Sequence, residues 1–354
     1  MNIEKIEREL CIGEAALVLS PENRRYLTGF GSSDGIIVIT GSGSKFWTDS
    51  RYIEDASEKI KDAEVELLER DYGNIEEFLR DNECRTVLVE ASRITVSELE
   101  RLRNRFTRFE FDTSGRLDEM ISGLRAVKTP WEMEELKKAQ NIAETSFKEF
   151  LPMIRVGIRE RDLAAELDYR MRRNGAEGIS FDTIVISGEN TSKPHGVPGD
   201  RRLMKGDFIT VDFGAVYNGY HSDTTRTVAL GSITPEMEHV YNTVLKAQKT
   251  AAEAISPGMT AGEYDAVARK VIEEAGYGEY FGHGTGHGVG IEIHERPFAG
   301  RDSEGILRAG NVVSCEPGIY LPGRFGVRIE DTLIVTESGA ETLCSLPKEL
   351  IVLK

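Results

Sequence analysis

Acidic residues set inside apolar, strand-like runs constrain this chain more than any other feature. Asp212 interrupts the run Phe208-Ile209-Thr210-Val211 before Phe213-Gly214. Glu316 ends Val312-Val313-Ser314-Cys315 and precedes Pro317-Gly318, and Glu330 lies in Val327-Arg328-Ile329-Glu330-Asp331. Aspartate is a poor strand residue, and a buried, unpaired carboxylate costs several kcal/mol. Taken alone, each reads first as a turn acid at a strand end, and Asp212 as that or as the salt-bridge partner of Arg226. Taken together on apolar strands of one region, they repel one another and need a compensating positive charge.

The segment Gly282-His283-Gly284-Thr285-Gly286-His287-Gly288-Val289-Gly290, followed by His294-Glu295, holds three of the six histidines within twelve residues. Its glycines allow unusual backbone angles and close approach of other groups. The plainer alternative is a flexible glycine loop with surface histidines. His195, in Lys193-Pro194-His195-Gly196, is a further loop histidine that suits either surface or site. The fingerprint G-x-G-x-x-G does not fit this segment, and no Walker loop is present. The four cysteines (Cys11, Cys84, Cys315 and Cys344) are scattered, with no C-x-x-C pair, which argues against a disulfide framework and a thiolate zinc site. A metal here is therefore held by carboxylates and imidazole. Such a donor set suits Mn²⁺ or Fe²⁺, tolerates Co²⁺ or Zn²⁺, and has enough bridging oxygens for two ions. A pair ~3.5–4 Å apart would hold a bridging hydroxide at neutral pH, with remaining histidines shuttling protons or stabilising an oxyanion.

Length and charge narrow the class. The chain has 354 residues, 40% hydrophobic and 29% charged, enough for two globular domains at roughly 150 residues each. The net charge of −16 and the lack of a basic patch argue against nucleic acid and anionic membranes as partners. No apolar run approaches the ~20 residues of a membrane span, and the first residues lack a signal-peptide core. A cytoplasmic location is the default expectation.

Residues 1–122 are expected to form a small α/β domain. Strand-like runs fall at 15–19, 35–40, 45–48, 86–90 and 109–112, and helical spacing near 52–63, 74–82 and 97–106. Residues 123–354 form the second domain. It opens on a long helix after Lys128-Thr129-Pro130, with Thr129 as cap, Pro130 in the first turn and Glu132 at the positive helix end. Met133, Leu136, Ala139, Ile142, Ala143 and Phe147 follow its 3.6-residue period. Strands are expected at 208–213, 224–229, 290–294, 312–316 and 327–336. A weak internal repeat is also present. Gly157-Ile158 begins a helical run ending at Gly175, and Gly258-Met259 begins one ending at Gly276; a shift of 101 places Leu163, Ala165 and Met171 on Tyr264, Ala266 and Ile272. Two related halves would place a site at their seam.

The ordered motifs are specific. Val211-Asp212-Phe213-Gly214, Ser222-Asp223-x-Thr225-Arg226-Thr227, Gly286-His287-Gly288-x-Gly290, Glu316-Pro317-Gly318-Ile319-Tyr320 and Arg328-Ile329-Glu330-Asp331 together resemble the pita-bread metallopeptidases. Within these, the chain is most similar to Xaa-Pro dipeptidases (prolidases) and aminopeptidase P. The resemblance covers nearly the whole chain, since Asn23-Arg24-Arg25-Tyr26-Leu27-Thr28-Gly29-Phe30 and Thr48-Asp49-Ser50-Arg51-Tyr52 are similar to the N-terminal domain of that branch.

This resemblance implies an α/β N-terminal domain followed by an α+β pita-bread catalytic domain with pseudo-two-fold symmetry. It implies that Asp212 chelates one of two divalent ions, Mn²⁺ first among them, that His287 and Glu316 bind the other, and that Asp223 and Glu330 bridge both. His195, His283 and His294 would position substrate and stabilise the intermediate, with Tyr320 and Arg328 supporting the site. The substrates implied are short peptides with proline second, and the assembly implied is a homodimer. One departure stands out. Where prolidases carry His-Glu-x-Pro-Arg, this chain has His294-Glu295-Arg296-Pro297-Phe298, so the arginine able to meet a dipeptide's carboxylate is replaced by Phe298, unless Arg296, Arg301 or Arg324 substitutes. The other functions weighed are a creatinase-type, metal-free C–N hydrolase and a non-catalytic peptide-binding pseudo-peptidase; intact candidate ligands argue against both.

Overall fold

The computed structural model describes residues 2–354, and the chain divides into two compact units between Arg125 and Ala126. The helix Arg116–Ala126 runs through Gly123, the residue at which the sequence reading begins the second domain.

The first unit is built on a six-stranded mixed sheet. Its order is Glu64–Leu67, Gly43–Thr48, Ile36–Thr40, Glu14–Val18, Thr86–Val89 and Glu110–Asp112. Glu14–Val18 runs antiparallel to Ile36–Thr40 and parallel to Thr86–Val89. Four of the expected strands lie on this sheet with buried apolar runs, and the fifth, Glu110–Asp112, forms one of its edges. Glu64–Leu67 was not anticipated: it is an edge strand with Leu67 53% exposed, so its sequence lacks the apolar signal of a buried strand. The short helices Asn2–Glu9 and Pro21–Thr28 were likewise not foreseen.

In the second unit the helix Pro130–Phe150 starts as expected. Thr129 accepts from the Glu132 amide, and the Glu132 carboxylate returns to the Thr129 amide. Its buried face, including Ile142, Ala143 and Phe147, packs with the helix Glu160–Arg173 onto the strands Ile184–Ser187, Phe208–Phe213 and Thr224–Leu230. Phe147 stacks on Phe213 with ring centroids 5.0 Å apart. A second helix pair, Pro235–Ala254 and Ala261–Glu274, shares a separate core with Val313, Cys315, Leu333 and Val335 of the sheet formed by Glu295–Ala299, Gly286–Gly288, Val312–Cys315, Asp331–Thr336 and Gly339–Thr342.

These two layers are copies of one design. Gly157 and Gly258 have φ of +89° and +92°, and their amides donate to the carbonyls of Leu203 and Leu307, whose own amides donate back to the carbonyls of Ile158 and Met259. Asp207 and Asn311 then cap equivalent turns, accepting from the amides of Met204 and Arg308, both at 2.8 Å. Gly206 and Gly310 donate to the carbonyls of Leu230 and Val335. The repeat of helices 101 residues apart is thus the outer trace of a pseudo-two-fold unit.

Two expected strands differ. Residues 290–294 are not a strand but the tip of a hairpin whose arms are Gly286–Gly288 and Glu295–Ala299. Residues 327–336 form two strands, Phe325–Arg328 and Asp331–Thr336, broken at Ile329-Glu330. Strand alternation in sequence cannot show this break, because a buried residue at a break is as apolar as one within a strand.

The seam between the halves is held by charge. Matching the strand pairs Phe208↔Ala229 and Val312↔Ile334 places Arg226 on Asp331 and Thr225 on Glu330. Both pairs of equivalent residues meet directly: Arg226 Nη2 lies 2.7 Å from Asp331 Oδ1, and Thr225 Oγ1 donates to Glu330 Oε2 at 2.8 Å. Arg226 is therefore the partner of Asp331, not of Asp212. Its remaining donors reach the carbonyls of Thr225, Glu330, Leu346 and Pro347. Replacing Arg226 by Met leaves a buried acid short of its main partner. The expected cost is about 3–5 kcal/mol, read as a lower midpoint in urea unfolding followed by circular dichroism.

Candidate metal centre

Four carboxylates and one imidazole converge at this seam from separate elements. Asp212 sits near the end of Phe208–Phe213, in register with Thr225. Asp223 immediately precedes Thr224–Leu230, and Glu316 follows Val312–Cys315, its amide fixed to the Thr285 carbonyl at 2.8 Å. Glu330 occupies the strand break, its amide donating to the Thr225 carbonyl.

His287 lies on Gly286–Gly288, a strand squeezed from both sides. A Cβ at Gly286 would fall 2.0 Å from the Ser314 carbonyl oxygen, and one at Gly288 would fall 2.4 Å from that of Arg296. The glycines flanking His287 are thus a packing requirement and not a sign of flexibility. The ring nitrogen Nδ1 lies 3.1 Å from the Gly288 carbonyl, which assigns the proton to Nδ1 and leaves the Nε2 lone pair facing inward. Nε2 stands 3.5 Å from Asp223 Oδ2 and 3.4 Å from Glu316 Oε1. Ligand atoms of Asp223, His287 and Glu330 all lie within 4.8 Å of one another, so these three form a cluster able to hold a metal ion.

The electrostatics are unbalanced without a cation. Burial first, then the facing Glu330, Asp212 and Glu316, pushes the Asp223 carboxyl well above its ordinary value. Glu330 is driven up by burial and by Glu316 and Asp212. Burial lifts Glu316 to about 7, against the pull of Arg328. Among the described residues lining the same cavity, the one lysine or arginine is Arg328, whose Nη2 lies 2.5 Å from Asp212 Oδ2. Asp212 Oδ1 is buried with no hydrogen-bond partner among the described residues. His287 supplies no charge, since burial lowers its pKa despite the neighbouring acids. Two like charges 4 Å apart repel by about 4 kcal/mol at an effective dielectric of 20. An orphaned carboxylate oxygen, surplus negative charge and an inward imidazole lone pair are what a divalent cation would satisfy.

All five candidate ligands line one cavity of about 340 Å³ together with His195, His283, His294 and Arg328. The cavity's other walls are largely apolar: Phe181, Ile184, Pro194, Val197, Pro198 and Ile293. Tyr320 is placed differently. It stands behind the cavity wall, donating its hydroxyl to His283 Nε2 at 2.9 Å and accepting from Arg328 Nη1 at 3.0 Å. Because His283 Nδ1 is also engaged by the Gly284 carbonyl at 2.8 Å, both its ring nitrogens are taken. Burial lowers its pKa to about 4, so it is neutral near pH 7 and orders Tyr320 and Arg328. His294 stacks edge-on against His287, ring centroids 4.3 Å apart. Phe298, 53% exposed, is not among the residues lining the cavity.

Sequence reasoning gave no role to Thr225, whose hydroxyl both donates to Glu330 and accepts from Arg328 Nε at 3.1 Å. Its place in the Ser-Asp-x-Thr-Arg-Thr motif was the available signal. It also gave none to Lys128 and Glu295, which pair in the interior at 2.6 Å.

Comparison with known proteins agrees with this geometry. Residues 134–337 match the model of metallopeptidase family M24, and residues 13–127 match the creatinase/prolidase N-terminal domain. The chain is 40% identical over 339 residues to a Xaa-Pro dipeptidase of Pyrococcus furiosus, covering 96% of this chain and 95% of that one. Among solved structures it is similar to a Xaa-Pro dipeptidase from Bacillus anthracis, with TM-score 0.94, 38% identity and 99% of each chain covered. It is also similar to an X-Pro aminopeptidase from Thermotoga maritima, with TM-score 0.91, 36% identity, and 98% and 100% covered. With a family match over most of its second unit and relatives aligned along nearly its full length, the chain belongs to metallopeptidase family M24 and is a metallopeptidase with a creatinase/prolidase N-terminal domain.

Proposed function

We propose that this metallopeptidase removes the N-terminal residue from short peptides whose second residue is proline, acting as an Xaa-Pro aminopeptidase. Asp212, Asp223, His287, Glu316 and Glu330 would hold two divalent ions, with Asp223 and Glu330 shared, and Mn²⁺ is the first candidate for such oxygen-rich donors. When bound, these ions supply an acidified water as nucleophile and neutralise charge that develops on the scissile carbonyl. His195 and His294 project into the cavity from separate loops and donate hydrogen bonds to that carbonyl and its oxyanion. Arg328, held by Tyr320, Thr225 and the Pro194 carbonyl, fixes Asp212. The apolar walls suit a proline ring, which has no N–H to satisfy.

The observation that carries the preference for longer peptides is the cavity's charge. Arg328 is the only arginine or lysine among the described residues lining it, and that guanidinium is already bound to Asp212 and Tyr320. Arg324 is turned to Glu236 and Arg301 to Glu273. Among the described residues lining the cavity, a dipeptide's carboxylate would meet no lysine or arginine besides Arg328. With Mn²⁺ loaded, Ala-Pro-Ala should therefore be cleaved faster than Ala-Pro in parallel assays. Faster cleavage of the dipeptide would assign a dipeptidase, and cleavage of neither, with Co²⁺ also tried, would remove the Xaa-Pro assignment.

Substituting Glu330 by Gln, or His287 by Ala, should bring turnover down to background while circular dichroism stays that of the folded chain. Wild-type turnover by a variant lacking bound metal would exclude metal-dependent hydrolysis.

Metal-free protein should also show a defined pH response. Glu316 is raised from 4.5 to about 7 on folding, so the folded state binds its proton more tightly. That contribution to stability is complete below about pH 4.5 and is lost as pH rises towards about 7. Divalent cation binding requires the same carboxylates ionised. The melting temperature of the metal-free protein should fall between about pH 5 and pH 8, while the upward shift produced by saturating Mn²⁺ grows over that range. A shift independent of pH would place the ion elsewhere.

A further inference from the structure

Lys128 lies outside the cavity, just ahead of the helix cap Thr129, yet its side chain is 1% exposed and its Nζ sits 2.6 Å from Glu295 Oε1. Its backbone is tethered beside an isolated bridge between Val127 and Asn311. The Lys128 amide donates to the Gly310 carbonyl at 2.8 Å, Asn311 Nδ2 donates to the Ala126 carbonyl at 2.8 Å, and Asn311 leads directly into Val312–Cys315. Glu295 belongs to the hairpin that carries His287 on one arm and His294 at its tip. The Glu295 carboxylate folds back across the tip: Oε2 faces the Glu292 amide at 3.4 Å, and a Cβ on Gly290 would collide with Oε1 at 2.3 Å. Residues 289 and 290 are further fixed by backbone bonds to Val312 and His221. Past Gly290, the tip bends round Glu295 to bring Ile293 and His294 into the cavity wall. His294 itself is an exposed ring resting edge-on against His287.

A buried ion pair of this kind adds little net stability over apolar residues of the same shape, because desolvation offsets the attraction. Its distinctive property is direction: it fixes one side chain at one place. We propose that Lys128 is a positioning residue that, through Glu295, holds the hairpin tip 289–294 so that His294 faces the scissile bond. The inference rests on the Xaa-Pro reading for its kinetic test and on the geometry alone for its structural one.

The test uses the Mn²⁺-loaded full chain with Ala-Pro-Ala. Lys128→Met should lower kcat by about ten- to a hundredfold, the scale of a misplaced catalytic group, with bound metal unchanged and KM moving much less. Lys128→Arg, which retains the charge, should recover most of the loss. In a His294→Ala background, Lys128→Met should change kcat/KM by less than about twofold, since coupled residues are not additive. Amide hydrogen exchange over residues 289–295 should quicken in Lys128→Met and stay unchanged in the helix 235–254. Wild-type kcat in Lys128→Met, its full loss persisting beside His294→Ala, or unaltered exchange at the tip would each overturn the proposal. Should Lys128→Met not fold, Glu295→Gln, isosteric and uncharged, is scored by the same measurements. If the wild type cleaves no Xaa-Pro peptide, the functional reading fails by itself and the exchange result decides the role of Lys128.

Discussion

Four carboxylates brought together in one buried place, faced by a single guanidinium, form the constraint around which the second unit is organised. Left to themselves they would separate or take up protons, and burial does raise Asp223, Glu316 and Glu330. They stay together because none of them sits on a flexible loop. Asp212, Asp223, Glu316 and Glu330 each lie within or next to a strand, and main-chain hydrogen bonds hold the last two. Beneath them, Arg226 and Asp331 join the two halves, and Arg226 also grips the Glu330 carbonyl at 2.5 Å. The repulsion at the surface of the site is thus opposed by attraction one residue further in, on neighbouring positions of the same strands.

Pseudo-two-fold symmetry explains why the site lies where it does. Equivalent positions in the halves meet only at the seam, and there they have diverged into complementary partners: Arg226 against Asp331, Thr225 against Glu330. Asp212 and Glu316 follow equivalent strand registers and both retain a carboxylate. A cation at the seam can therefore draw ligands from both halves, and closing the seam and building the site become one event. This gives a fold-level reason for a donor set spread over more than a hundred residues of sequence.

The imidazoles are held by three different devices. Glycine packing clamps His287, whose flanking residues leave no room for a side chain. Hydrogen bonds to Gly284 and Tyr320 occupy both nitrogens of His283, so its part is to order neighbours. His294 rests its ring on His287, and in the proposal made above its neighbour Glu295 provides the anchorage through Lys128. The hairpin tip is the part of the cavity wall most dependent on side-chain charge, whereas the carboxylates depend on strand backbone.

Much of this was legible in the sequence because it is local. The capping residues Thr129 and Glu132, the periodic face of the helix after Pro130, the glycine pairs of the repeat and the motif residues each report on neighbours a few positions away. Strand alternation likewise marked most strands of the first unit's sheet, failing only at the exposed edge Glu64–Leu67. Tertiary structure decided what depends on residues far apart in the chain. It paired Arg226 with Asp331 and Arg328 with Asp212, broke the run 327–336 at Glu330, turned 290–294 into a hairpin tip, placed Tyr320 behind the wall, and buried Lys128 against Glu295. A charged residue in a sequence carries no mark of its partner, since Coulomb attraction is set by distance in space and by burial. Residue types therefore determined that this chain must gather acids and imidazoles around a cation, while the fold alone determined which charges are balanced within the protein and which are left for a ligand.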